Sequence, residues 1–172
     1  MNVVYRRSIA RTAALAGIVW LGLSVEILLS NVVFPSPTDD DAIPVLLSYL
    51  CVFAALFLAG LLAARGGANR IGQAAAGLFA GILIGLLTTA SFAVVDNVWL
   101  DIVAQQQTKI DGFAHSNAAS MRDYINEGLA GVAVGLPIGL GIFGVMLGLA
   151  GGYTAGGPAP SAETPHGQSG PG

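Results

Sequence analysis

The stretch that decides the fold is IGQAAAGLFAGILIGLLTTASFAVV (residues 71–95), followed directly by DNVWLDIVAQQQTKID (residues 96–111). The first part is uncharged, spaced by glycines, and long enough to cross a bilayer as one helix. The second keeps a helical period in Val98, Trp99, Ile102, Val103 and Ile110, while Asp96, Asn97, Asp101, Gln105, Gln107 and Thr108 take the other faces. No proline interrupts the two. The pattern predicts a single helix whose roughly 40 residues reach about 60 Å, about twice the hydrocarbon thickness of a bilayer. It should cross the membrane and stand out of it.

Composition agrees with a membrane setting. The 172 residues are 54% hydrophobic and only 10% charged, with a mean hydropathy of +0.72, which excludes an ordinary soluble domain. Further spans are predicted over residues 12–34, 43–64 and 128–153. The reading is an all-α integral membrane protein: a four-transmembrane-helix bundle with an extracytoplasmic helical hairpin, residues 96–127, between the third and fourth helices. The first span follows Arg6 and Arg7 as a secretory signal would. Its length, its Glu26 and the lack of a small-x-small cleavage pattern favour a retained helix.

Basic residues set the expected orientation, because Lys and Arg near membrane ends are held on the cytoplasmic side. Arg6, Arg7 and Arg11 fall in the basic segment 1–11, and Arg65 and Arg70 bracket the turn 65–70. Asp39, Asp40 and Asp41 in the loop 35–42, with Asp96, Asp101, Asp111, Asp123 and Glu127, make the other side acidic. The expectation is a multi-pass protein of a bacterial inner membrane with both termini cytoplasmic. The net charge of -3 points away from nucleic acid as a partner. The lipid bilayer is the implied environment, with a homo-oligomer or a membrane-complex partner as the further expectation.

Local signals divide the chain. Pro35 and Pro37 end the first helix, Asp41 is a candidate N-cap with Pro44 in the first turn of the second helix, and Gly66 caps its end. Asp111-Gly112 reads as a stop, residues 113–117 as a turn, and Met121, Tyr124, Ile125 and Leu129 as the apolar stripe of the returning hairpin arm. The Gly-, Pro- and Ser-rich residues 154–172 are expected to be a disordered cytoplasmic tail.

Two patterns bear on packing and function. Gly77, Gly81 and Gly85 recur every four residues in the third span, as do Gly131, Gly135 and Gly139 in the fourth, followed by Gly144, Gly148 and Gly152. Small-residue stripes let helix backbones approach closely in lipid. They predict packing of span three on span four, with homo-oligomerisation as a second use.

The other pattern is Glu26, whose insertion at a helix centre costs roughly 2.5–3.5 kcal/mol and which needs a partner or a proton. Counting about eight residues inward from the span ends puts it level with Ser48 to Cys51, with Thr88 and Thr89, and with Leu136-Pro137. Tyr49, Thr88 and Thr89 are thus candidate partners, and Pro137, which frees the carbonyl of Ala133 between Gly135 and Gly139, a candidate hinge. This set could be a proton-linked or ligand-binding site, or a buried acid fixing helix register.

No nucleophile, metal-ligand or phosphate-loop pattern is legible, so neither an enzyme, a cofactor nor a metal is expected. His115 has no second ligand at suitable spacing, and Cys51 is single. The layout over residues 43–153, with Gly72-Gln73-Ala74 opening the third span, an acidic residue just past it and a polar helical segment before the fourth, resembles a group of uncharacterised four-span bacterial membrane proteins, defined only as a domain of unknown function. Ile71 stands where that group usually has an aromatic residue. The resemblance implies a fold and a bacterial membrane, and no activity. The expected role is an accessory, structural or interaction subunit; the alternative is a small oligomeric transporter or channel, proton-linked through Glu26.

Overall fold

The computed structural model describes residues 3–35 and 42–155. Among them the chain is helical throughout, with α1 (Val3–Leu28) running into a π-helical turn (Leu29–Val33), then α2 (Ala42–Arg65), α3 (Arg70–Val98), two short helices α4 (Leu100–Val103) and α5 (Gln107–Ala114), and α6 (Met121–Thr154). Four helices are long and apolar enough to cross a membrane. Their outward faces are apolar, with Ile18 68%, Leu46 59% and Met146 61% exposed. Water would not tolerate this much bare apolar surface on a chain of this size, but a lipid environment does. The chain is therefore a multi-pass helical membrane protein. The aspartates at positions 39–41 and the tail from residue 156 onward lie outside the described residues.

The helices alternate in direction, so the bundle has a basic end, with Arg11, Arg65 and Arg70 exposed, and a polar end built from α4, α5 and the start of α6. At the basic end α2 closes in a hydrogen-bonded cap: Gly67 N–H donates to Ala64 O (2.9 Å) and Ala68 N–H to Ala63 O (3.0 Å). Gly67 sits at φ 82°, which a residue with a Cβ adopts only at a cost. Asn69 then caps α3, its side chain accepting from Gly72 N–H at 3.0 Å.

The centre of the bundle is the seam between α3 and α6. A Cβ added to Gly77 would fall into the Gly144 carbonyl, one on Gly81 into the Leu140 carbonyl, and one on Gly85 would lie 2.6 Å from Pro137 Cα. Towards the basic end α2 joins the same way, since Gly60 abuts the Gly148 backbone and Gly151 the Phe57 carbonyl. The helices thus meet backbone to backbone, and the flanks are filled by Leu56 and Ile84, both fully buried, with Ala55, Ala59 and Ala80. Gly131, Gly135 and Gly139 take no part: a Cβ at any of them would meet nothing within 4 Å. Their placement corrects the expectation that both glycine series of the fourth span serve this contact.

The polar end also differs from expectation. α3 does not run on to Asp111 but stops at Trp99 (φ -110°, ψ 37°), and the chain turns again at Ala104–Gln106. Folding over brings Val103 to full burial and lets Gln106 Nε2 donate to Asn31 Oδ1 in the π-helical turn that follows α1 (3.0 Å). A straight helix would have held that apolar face in water, so burial overrides the continuous periodicity. α5 runs through Gly112 to Ala114, and the returning arm is no separate helix. It is the first part of α6, capped by Ser120, whose hydroxyl accepts from Asp123 N–H (3.2 Å) and donates to the Asp123 carboxylate (2.7 Å).

The seam makes opposite predictions for two chemically identical changes. Gly81→Ala should lower stability by about 1–3 kcal/mol, because a backbone carbonyl cannot give way to a methyl group. Gly131→Ala should be neutral or stabilise by up to about 1 kcal/mol through helix propensity. Unfolding of the two variants in mixed micelles measures both.

Candidate functional site

Glu26 lies near the end of α1, about two turns before the π-helical turn ends at Val33, and the helices around it leave a cavity of about 150 Å³. α1 contributes Leu23, Glu26 and Ile27, α2 contributes Ser48 and Tyr49, α3 contributes Thr88 and Phe92, and α6 contributes Leu136. These are the positions that counting inward from the span ends made level, because four antiparallel helices of similar rise share their depth. Glu26, Tyr49 and Thr88 are therefore brought to one place. Thr89 is not; its hydroxyl donates to the Gly85 carbonyl (2.9 Å) on its own helix, and it does not line the cavity. Pro137 is buried one residue beyond Leu136, seated on Gly85, and α6 runs through it without interruption. Cys51 is exposed and also outside the cavity.

Thr88 has a distinctive environment. Its residue is 7% exposed, and its Oγ1 is the one buried side-chain polar atom without a hydrogen-bond partner among the described residues. A hydroxyl left so costs about 1–3 kcal/mol relative to a satisfied one. Glu26 also lines a second, shallower groove of about 410 Å³ with Gly22, Val25, Leu29, Phe34 and Pro44, on the outward side of α1 and the start of α2. Glu26 thus lines both a half-open cavity among the four helices and a groove on the outward side of α1.

A second polar cluster positions α1 and was not anticipated from the sequence. Trp20 Nε1 donates to the Leu87 carbonyl (3.1 Å) and to Ser91 Oγ (2.9 Å), and Ser24 Oγ and Ser91 Oγ are 2.8 Å apart. Trp20 and Ser24 are spaced by four, so they share one face of α1, and this spacing was the available signal. Gln73 is likewise buried, its Nε2 donating to Ala68 O (3.0 Å) across the basic-end turn. At the polar end Asp96 is buried with Lys109 as the cation acting on it. Asn97 Nδ2 donates to Asn126 Oδ1 (3.0 Å), tying α3 to α6. His115 Nδ1 lies 2.7 Å from the Asp111 carbonyl.

Fold and cavity together define a class: a four-span helical membrane protein with a small, mixed polar and apolar cavity within its polar-end half. Comparison of the chain with family models, with curated proteins and with solved structures gives no match.

The unsatisfied hydroxyl predicts the effect of an isosteric change. Thr88→Val exchanges Oγ1 for a methyl group, and should leave stability unchanged or raise it by about 1–2 kcal/mol. A loss exceeding about 1 kcal/mol in the same unfolding assay would mean that the hydroxyl has a protein partner.

Proposed function

We propose that this protein is an interaction subunit of a membrane assembly, an accessory or structural component, and that the polar-end half of α6 is its contact helix. The observation that carries this reading is that α6 is exposed on all faces from Ala130 to Gly135. Gly131 and Gly135, with Gly139 beyond them, form a small-residue face on this bare stretch. Helices in lipid associate by close packing on such faces, since lipid tails are as apolar as the side chains they would displace. The same helix packs its Gly144, Gly148 and Gly151 face against α3 and α2 within the chain. The complementary surface is a transmembrane helix with a small-residue face of its own, and a second copy of this chain has one.

We propose further that the basic end faces the cytoplasm of a bacterial cell, a reading supported by the exposed Arg11, Arg65 and Arg70. The Glu26 cavity favours a second reading, a small oligomeric transporter or channel. The α3–α6 seam closes the middle of one bundle, so a path would have to run between copies.

Single cysteines test the contact. In a Cys51→Ala background, Gly131→Cys and Gly135→Cys oxidised in native membranes should give a covalent dimer in several-fold higher yield than Ile142→Cys, which is exposed on the other half of α6. Equal yields at the three positions, or none, would remove α6 as the contact helix.

A further inference from the structure

We propose that Arg11 and Arg65 together hold the headgroup phosphate of an anionic phospholipid, whose acyl chains lie along the outward seam between α1 and α2. The proposal goes beyond the assembly role and stands without it.

Depth is the first ground. α1 and α2 are antiparallel, and Leu23 and Val52 mark a common level, since both belong to the core cluster and line the same cavity. Twelve residues from Leu23 toward the basic end is Arg11, and twelve from Val52 is Ala64, the neighbour of Arg65. The two arginines therefore stand at one depth. That depth is the rim of the membrane: the 24 residues of α2 make about 36 Å of helix against roughly 30 Å of hydrocarbon, and Arg65 is the last of them.

The second ground is the face each arginine occupies. Ile18 and Gly22 follow Arg11 by seven and eleven residues, so the three share one side of α1. Gly22 lines the groove on the outward side of α1 and α2. On α2, Leu62 is five full turns from Pro44, which lines the same groove, and Arg65 follows Leu62 by three residues. Both arginines are exposed, one on each side of this seam. Neighbouring helix axes are about 8–10 Å apart, a gap that two arginine side chains can close on one phosphate, each offering paired N–H donors.

Charge completes the argument. Every carboxylate among the described residues lies in the polar-end half, and the nearest along α1, Glu26, is fifteen residues from Arg11, or about 22 Å. The two cations thus meet the lipid headgroups with no acid of the described chain beside them. Basic residues at the membrane surface attract anionic headgroups; a zwitterionic headgroup offers the same phosphate but brings its own cation, which the arginines repel. Inward from the arginines the seam is apolar, with Leu15 and Leu62 half-buried and Ile18 and Leu58 exposed, a surface suited to acyl chains. Arg70, exposed at the same end, is off the seam: it opens α3 and shares a side with Gly77, seven residues on, which packs on α6.

The test is site-resolved fluorescence quenching of the full chain in phosphatidylcholine bilayers, in a Cys51→Ala background. Ile18→Cys carrying bimane reports from the seam. Leu86→Cys, on an exposed position of α3, reports from a similar depth, because the Ser24–Ser91 contact (2.8 Å) sets the level of α1 against α3. The quencher is phosphatidylglycerol brominated on its acyl chains, compared with brominated phosphatidylcholine at the same fraction. The expected result is a preference for phosphatidylglycerol of about threefold or more at Ile18 and none at Leu86. Arg11→Gln with Arg65→Gln should abolish the preference, and Arg70→Gln should leave it. Equal preference at the two reporters, its survival in the double variant, or its equal loss in Arg70→Gln would overturn the proposal. If the double variant does not insert, Arg11→Gln alone and the comparison of the two reporters with both arginines in place decide the matter.

Discussion

The structure depends on the direct contact of the α3 and α6 backbones. In lipid there is no water to expel, so apolar side chains alone do not hold helices together, and close packing must supply the attraction. Glycines at 77, 81, 144 and 148 bring the two main chains into contact over several turns, at a cost in helix propensity of about 1 kcal/mol each. α2 joins the same seam through Gly60 and Gly151. α1 does not; it attaches to α3 through larger side chains and the Trp20–Ser24–Ser91 hydrogen bonds. That difference in attachment leaves room beside α1, and the Glu26 cavity occupies it.

The cavity is thus a consequence of how the bundle is assembled. Three helices share a glycine-mediated seam, while the fourth stands off far enough for Glu26, Tyr49 and Thr88 to line one cavity at a common depth. The buried Thr88 hydroxyl shows that this arrangement is not optimised for stability alone, because a valine would fill the same volume without an unsatisfied oxygen. At the polar end, α4 and the Gln106–Asn31 hydrogen bond cover the top of α1 and restrain the helix that carries Glu26.

Much of this was legible in the sequence. Length and hydropathy are enough to read four helices, and depth counted from the span ends puts Glu26, Tyr49 and Thr88 at one level. Thr89 was indistinguishable from Thr88, because which of two adjacent residues faces a neighbour depends on helix rotation, to which a depth count is blind. The glycine series were ambiguous for a similar reason. Period four marks a face but not its partner, and Gly131, Gly135 and Gly139 carry the same period as the glycines that pack. Depth could have separated them, since Gly77, near the basic end of α3, can meet only the later glycines of an antiparallel α6. The break at Trp99 has no proline or glycine to announce it, and it follows from burial of Val103 and Gln106, a tertiary effect. The continuity of the hairpin arm with α6 did have a signal, in Ser120 and Asp123 at capping spacing.

The register of the seam is best measured by magic-angle-spinning NMR of the protein in bilayers with glycine Cα carbons labelled. The account predicts cross-peaks between Gly77 and Gly144, Gly77 and Gly148, and Gly60 and Gly148, with none from Gly131 or Gly135 to any glycine of α3. Cross-peaks joining Gly131 or Gly135 to Gly81 or Gly85, in place of that set, would contradict it.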